Sequence, residues 1–250
     1  GFPTGAVHWQ VANASGASQV GVFFVIERPE LIEPHEGGGP IRLETLPVMI
    51  SGRLRRNEEI DRYLFTATHS GAVTCTLWAR RIGSNFRGVL EVRDAKGKLL
   101  AHCADTTGHD LSLTFGVEKD QGYSIRVREL DFRGHRSYVY RLGVRDGGRV
   151  LATLPASVRR GSRPKLLVRI ATGNGTTRLV PHGISIAPDA PATVPLGLDG
   201  LSYTLPVSDL PETTESELRA GSTGGPVSFP GIPAGVTGEL ETPNEVDSWQ

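Results

Sequence analysis

Strict two-residue alternation of apolar and polar side chains, repeated in short runs, is what most limits the folds open to this chain. In AVTCTLWA, Val73, Cys75, Leu77 and Ala79 share one face while Thr74, Thr76 and Trp78 share the other. YSIRVRE sets Ile125 and Val127 against Ser124, Arg126 and Arg128, RYLFTA aligns Tyr63, Phe65 and Ala67, and SYVYRLGV aligns Tyr138, Tyr140, Leu142 and Val144. Successive side chains of a strand point to opposite faces, so this pattern predicts half-buried antiparallel strands. The intervals hold turn chemistry such as HSGA, DAKGK and KDQG, and no segment carries a helical period with caps at its ends. Glycine (31) and proline (17) lie scattered among the runs, as in all-β, turn-rich proteins.

The segment from Leu46 to Arg145 carries this texture most regularly, with strands at intervals of roughly ten residues, the spacing of a sandwich or barrel. From Arg149 to Asp209 the runs are shorter, with a GNG turn and many prolines that only edges and loops tolerate. ERPELIEPHEGGGP and SDLPETTESELRAGSTGGP are acidic and poor in large apolar side chains, and they read as solvated linkers.

One motif occurs twice without a gap in register. Pro47, Gly52, Leu54, Glu59 and Asp61 recur as Pro233, Gly238, Leu240, Glu245 and Asp247, and Gly38, Gly39 and Pro40 as Gly224, Gly225 and Pro226. Ile50/Val236, Ser51/Thr237, Ile60/Val246 and Tyr63/Trp249 add conservative pairs. A repeat at this separation implies one full module and the start of another. VGVFFVIERPE before the first linker resembles LSYTLPVSDLPE before the second, so we expect a slice of an alternating array cut inside a domain at both ends. The expected organisation is all-β: residues 1–27 the end of an Ig-like sandwich, 28–45 a linker, 46–146 a jelly-roll-like β-sandwich, 147–210 an Ig-like β-sandwich, 211–226 a second linker, and 227–250 the truncated start of another repeat.

The ordered runs EEIDRYLFTATHSGAVTCTLWARRIGS, LEVRDAKGKLLAHCADTTGHDLSLTFGVEKDQGYSIRVREL and SYVYRLGV resemble the bacterial pre-peptidase C-terminal domain over about a hundred residues. That resemblance implies a jelly-roll sandwich, similar to collagen- and carbohydrate-binding modules, without catalysis of its own and carried by exported bacterial proteins. It departs from the family's Gly-Asp-x-Asp-Tyr-Phe start, where this chain has Glu59, Arg62 and Tyr63 and keeps only Asp61 in type. Related collagen-binding domains hold calcium through acidic linker residues, so calcium is the one cofactor left open. Glu30, Glu33 and Glu36 with Asp61, Asp105 and Asp110 are the carboxylates to follow. The ordinary reading of these acids is solvated or turn-capping, since their spacing is unlike an EF-hand loop.

The excluded chemistries are as informative. Gly-x-Ser-x-Gly, His-Glu-x-x-His, a P-loop and Gly-x-Gly-x-x-Gly are absent, and the seven histidines lie far apart. Basic and acidic residues balance at 27 each, so no net field gathers nucleic acid or anionic membrane, although a local patch is compatible with that balance. No apolar run is long enough to insert into a membrane. Cys75 and Cys103 fit no zinc spacing and admit either one disulfide or two reduced thiols. Trp78, opposite the apolar face of its strand, is the expected ligand contact. Arg62 is the second, although Arg53, Arg55, Arg56 and Arg62 read together as a charged, aggregation-protected edge. The expected role is an extracellular or cell-envelope binding or adhesion module, with an extracellular protein or polysaccharide and neighbouring domains of the same chain as partners. A spacer array and the processed appendage of a secreted hydrolase are the alternatives.

Overall fold

The computed structural model describes residues 5–26, 30–34, 39–198, 201–219 and 231–239. It is built almost wholly of strands and divides into two compact units, residues 1–148 with 172–175, and residues 149–171 with 176–250. The repeat positions from 224 to 226 and beyond 239, together with Glu36, fall outside the described residues. Among the described residues no helix is long and apolar enough to cross a membrane.

The first unit opens with a hairpin of β1 (Gly5–Trp9) and β4 (Gly21–Val25), enclosing the short pair β2 (Ala12–Asn13) and β3 (Gly16–Ala17). Two five-stranded sheets follow. One contains β6 (Ile41–Arg42), β8 (Asp61–Thr66), β10 (Gly88–Asp94), β11 (Leu99–Ala104) and β13 (Gly122–Glu129), in the order β11-β10-β13-β8-β6. The other contains β5 (Glu30–Ile32), β7 (Val48–Arg53), β9 (Gly71–Trp78), β12 (Leu111–Val117) and β14 (Val139–Asp146), in the order β12-β9-β14-β7-β5. All pairings are antiparallel except β5 with β7 and β6 with β8, which are parallel. The alternation noted in the sequence is realised directly. Val73, Cys75, Leu77, Ile125, Val127, Leu142 and Val144 all fall in the buried core between the sheets. Their opposite faces carry the threonines and arginines, because a pleated strand cannot bury both sets against one neighbour.

Tyr140 is buried with that core, as its place on the Leu142–Val144 face requires, while Tyr138 packs at the margin. Neither Cys75 nor Cys103 is in a disulfide; the first is fully buried and the second half-buried. The linker reading needs revision at two points: Glu30–Ile32 and Ile41–Arg42 are strands at the edges of the two sheets. A solvated appearance in sequence hid them, because a three-residue edge strand needs only one inward side chain, here Leu31, which packs against the core.

The second unit holds β15 (Arg149–Leu154), β17 (Lys165–Gly173) and β18 (Thr176–Gly183) in one sheet. β16 (Val158–Arg159), β19 (Thr193–Leu198) and β20 (Leu201–Ser208) form another. Leu166, Val168, Ile170, Leu196 and Leu205 form its core. β21 (Glu212–Thr214) and β22 (Gly235–Thr237) pair in parallel beside it, with a short helix α1 (Glu215–Arg219) after β21. Thr214 starts that helix with a capping box: its Oγ1 accepts the Glu217 N–H at 3.3 Å and the Glu217 carboxylate accepts the Thr214 N–H at 2.9 Å. The Leu46–Pro47, Leu154–Pro155 and Ile232–Pro233 peptides are cis.

Candidate functional site

Three places in the first unit gather the residues singled out by the sequence. On the outer face of the β9-β14-β7-β5 stretch, cross-strand register sets Trp78 beside Arg141, Arg141 beside Ser51 and Ser51 beside Ile32. Arg141 is almost wholly buried there. Its Nε and Nη2 donate to the two carboxylate oxygens of Glu30 at 3.1 and 3.2 Å, and the Ser51 hydroxyl adds a hydrogen bond to the same carboxylate at 2.6 Å. A planar guanidinium and a carboxylate meeting fork to fork form a directional pair. Phe24 of β4 lies 5.0 Å from the Trp78 ring, and the Arg141 guanidinium sits 5.5 Å from Phe24 and 5.7 Å from Trp78. Arg81 stacks on Trp78 at 4.7 Å. Trp78 is therefore half-buried beneath a phenylalanine and two cations, and it offers no open platform.

At one end of the sandwich a cleft of roughly 440 Å³ is lined by Glu33, Pro40, Ile41, Glu59, Asp61 and Arg62, among others. Glu33, Glu59 and Asp61 already have work in the fold. Glu59 accepts the backbone N–H groups of Arg55 and Arg56 at 2.5 and 2.7 Å, and Glu33 accepts that of Arg53 at 2.9 Å. Asp61, only 7% exposed, accepts the Tyr140 hydroxyl at 2.5 Å, and Tyr140 in turn meets the Tyr63 hydroxyl at 2.6 Å. Because Tyr140 spends its one proton on Asp61, Tyr63 is the donor of that second bond. Burial pushes the Asp61 carboxyl up to about 8; the Tyr140 hydrogen bond opposes this and the charge of Glu33 reinforces it. Burial likewise raises Glu33, which is hydrogen-bonded to Asp61, so the two carboxyls hold a proton between them at neutral pH.

Asp105 and Asp110 brace the 3-10 turn Arg80–Ile82. Asp105 accepts the N–H groups of Thr107, Gly108 and His109 and pairs with Arg80 at 3.1 Å. Burial alone would raise its carboxyl, but the backbone N–H groups of His109 and Gly108 and the Arg80 guanidinium outweigh that and lower it. Asp110 accepts the N–H groups of Ala79 and Arg80, both at 2.8 Å, and pairs with Arg81. As a calcium set, Asp61, Asp105 and Asp110 do not hold together. Among the described residues no three metal-ligating side chains converge, and the oxygens of these aspartates serve N–H, O–H and guanidinium donors.

Arg62 proves to be the more informative residue. It does not lie on an edge: β8 is flanked by β13 and β6, and register aligns Arg62, Arg126, Glu91 and His102 across four adjacent strands. Glu91 is shared by Arg93 at 3.0 Å and Arg128 at 3.5 Å. Among the described residues neither the Arg62 nor the Arg126 side chain forms a hydrogen bond or an ion pair, and the Arg126 Nε is buried without a partner. Burial, then the neighbouring charges of Arg93 and Arg62, lower the Arg126 pKa against the opposing charge of Glu91, which marks a local excess of positive charge on an electrically neutral chain. Sequence reasoning listed Arg126 as an outward residue but could not place it beside Arg62, since strand register joins residues far apart in the chain.

The class defined by these observations is an all-β chain whose first unit is a two-sheet sandwich. The chain matches no protein-family profile, and no curated protein matches it. Among solved structures it is similar to the pre-peptidase C-terminal domain of the collagenase of Bacillus anthracis, with a TM-score of 0.36 and 16% identity, covering 45% of this chain and 100% of that one. It is also similar to Aeromonas hydrophila PliG, a periplasmic inhibitor of g-type lysozyme, with a TM-score of 0.32 and 12% identity, covering 46% of this chain and 97% of that one.

Proposed function

We propose that this chain is a non-catalytic, extracellular binding segment, and that its ligand face is the arginine-bearing outer face of the β11-β10-β13-β8 sheet. The observation that carries the reading is the Arg62–Arg126 pair. Like charges directly opposite on neighbouring strands lower stability, and Glu91, the carboxylate aligned with Arg126 on its other side, is shared with Arg93 and Arg128 and does not fully offset this pair. A ligand bearing repeated anionic groups would, because guanidinium forks match planar carboxylate and sulfate groups. We read the ligand as an acidic polysaccharide rather than a peptide strand. β13 is paired along both edges, and β8 is paired along its β13 edge and, at Tyr63 and Leu64, with β6, which leaves side chains more than backbone to make the contacts. The sequence resemblance to the pre-peptidase C-terminal domain and the Ig-like reading of residues 147–210 belong to the same proposal, that of alternating modules in an exported protein.

The test is retention of the whole chain on immobilised sulfated and uronate polysaccharides, with neutral glucan as the control. Retention that falls with salt and is lost in Arg62→Ser/Arg126→Ser supports the face. Equal retention on neutral glucan, or a double variant that binds as the wild type does, overturns it. The spacer reading also has an observation in its favour, the docked strand Glu30–Ile32 with the hairpin seated on Trp78. That same docking disfavours ready processing between Glu30 and Gly39.

A further inference from the structure

The same small structure is built twice. In the first unit, Glu30, Leu31 and Ile32 pair in parallel with Met49, Ile50 and Ser51. In the second, Glu212, Thr213 and Thr214 pair in parallel with Gly235, Val236 and Thr237. The sequence repeat equates Ile50 with Val236 and Ser51 with Thr237, so the two pairings have one register as well as one direction. In both, the docking segment begins with a glutamate that follows a proline, Pro29-Glu30 and Pro211-Glu212. A parallel pair of three residues forms few hydrogen bonds and does not persist by itself. Each copy is accordingly fastened by side chains.

In the first copy Glu30 is locked by the buried Arg141 fork and by Ser51. Leu31 packs against the core, the Glu33 N–H donates to the Ser51 carbonyl at 2.9 Å, and the Glu33 carboxylate takes the Arg53 N–H. The hairpin that precedes the linker is held to the same face through Phe24, Trp78 and Arg141. In the second copy the Gly235 N–H donates to the Pro211 carbonyl at 2.8 Å. The Glu212 carboxylate lies directly against Gly235, so a side chain at that position would displace the glutamate. Thr237 and Glu239, just past the acceptor strand, reach back to the sandwich before the linker: Thr237 Oγ1 accepts the Ala156 N–H at 2.9 Å, and Glu239 pairs with Arg169.

We infer that the acidic linkers are strand clips: the Pro-Glu segment of each linker docks in parallel on the first strand of the module that follows, and in doing so seats the preceding module against it. The interaction surface is the outer edge of that first strand, Met49–Ser51 or Gly235–Thr237, and its partner is the Pro-Glu segment of the same chain. Glu30 and Arg141 are positioning residues that hold the first clip. Neither the polysaccharide reading nor its failure bears on this joint.

The experiment is limited proteolysis of the whole chain with a broad-specificity protease, with cut sites identified by mass spectrometry and hydrogen exchange read in parallel. The reference is a synthetic peptide of residues 27–40. Wild-type protein should be cut in the first linker far more slowly than the peptide. Glu30→Arg should speed that cleavage about tenfold by releasing the clip, and Glu30→Arg/Arg141→Glu should restore resistance by reversing the pair. Since Arg141→Glu alone can unfold the sandwich, Leu31→Pro serves as an independent release of the first clip, and Thr213→Pro should open the second linker and leave the first protected. A wild-type linker cut as fast as the peptide overturns the inference. So do Glu30→Arg and Leu31→Pro variants that are cut no faster than wild type.

Discussion

Asp61 should make the first unit lose stability as pH rises through neutrality, against the usual behaviour of a paired carboxylate. Its carboxyl is raised from the 3.8 of an ordinary aspartate to about 8, first by burial and then by the charge of Glu33, while the Tyr140 hydrogen bond pulls the other way. Between those two pH values the folded chain holds a proton that the unfolded chain has released. The stabilisation is complete below about pH 4 and is lost as pH rises through about 8. At about 1.4 kcal/mol per pH unit, a gap of roughly four units sets a ceiling on the order of 5 kcal/mol. Sharing that proton with Glu33 leaves the number of protons held by the folded chain unchanged, so the loss keeps this sign and order of magnitude. Urea unfolding of the whole chain at intervals from pH 5 to 9, followed by tryptophan fluorescence, measures it. Asp61→Asn keeps an acceptor for Tyr140 but cannot ionise. The variant should be of similar or slightly lower stability at pH 5, should show a flatter profile, and should exceed the wild type at pH 8.5. A wild type whose stability is flat or rising from pH 5 to 8.5 would refute the reasoning, as would an Asn variant with an unchanged slope.

Removing the Tyr140 hydroxyl by Tyr140→Phe takes the tyrosine donor from Asp61, which keeps Glu33, and the hydroxyl partner from Tyr63, and should cost about 1–3 kcal/mol in the same unfolding assay. Asp105→Ala frees three backbone N–H groups and Arg80, with an expected loss of about 2–4 kcal/mol. Because its carboxyl is lowered in the folded chain, the gap between wild type and variant should close as pH falls below the ordinary aspartate value, which acid-range thermal melts can follow. Burial pushes the Cys75 thiol far up, so a thiol reagent should leave Cys75 unmodified in native protein and label it only on unfolding, as peptide mapping would show. Phe24→Ala uncovers Trp78 and should shift its emission to the red and raise its acrylamide quenching, whereas an already open tryptophan would show neither change.

The alternation of side chains was enough to determine the all-β class, the inward faces of β8, β9, β13 and β14, and the burial of Tyr140 beside Leu142. Each follows from the two-residue period of a strand, a property of neighbours in sequence. The repeat was legible for the same reason, since Pro47/Pro233 and Gly52/Gly238 are identities along a line. Tertiary structure alone decided the rest. Trp78 sits on an outward face as its strand dictates, yet a hairpin some fifty residues earlier in the chain covers it, and no local pattern encodes that contact. Asp61, Asp105 and Asp110 look alike in sequence, but a tyrosine hydroxyl from β14 occupies the first while backbone N–H groups and arginines take the other two. Arg62 acquires its meaning only when register brings Arg126 alongside it, and Glu30 only when Arg141 closes on it. Strand order and register are set by which faces exclude water together across the whole sheet, and that is a property of the folded chain.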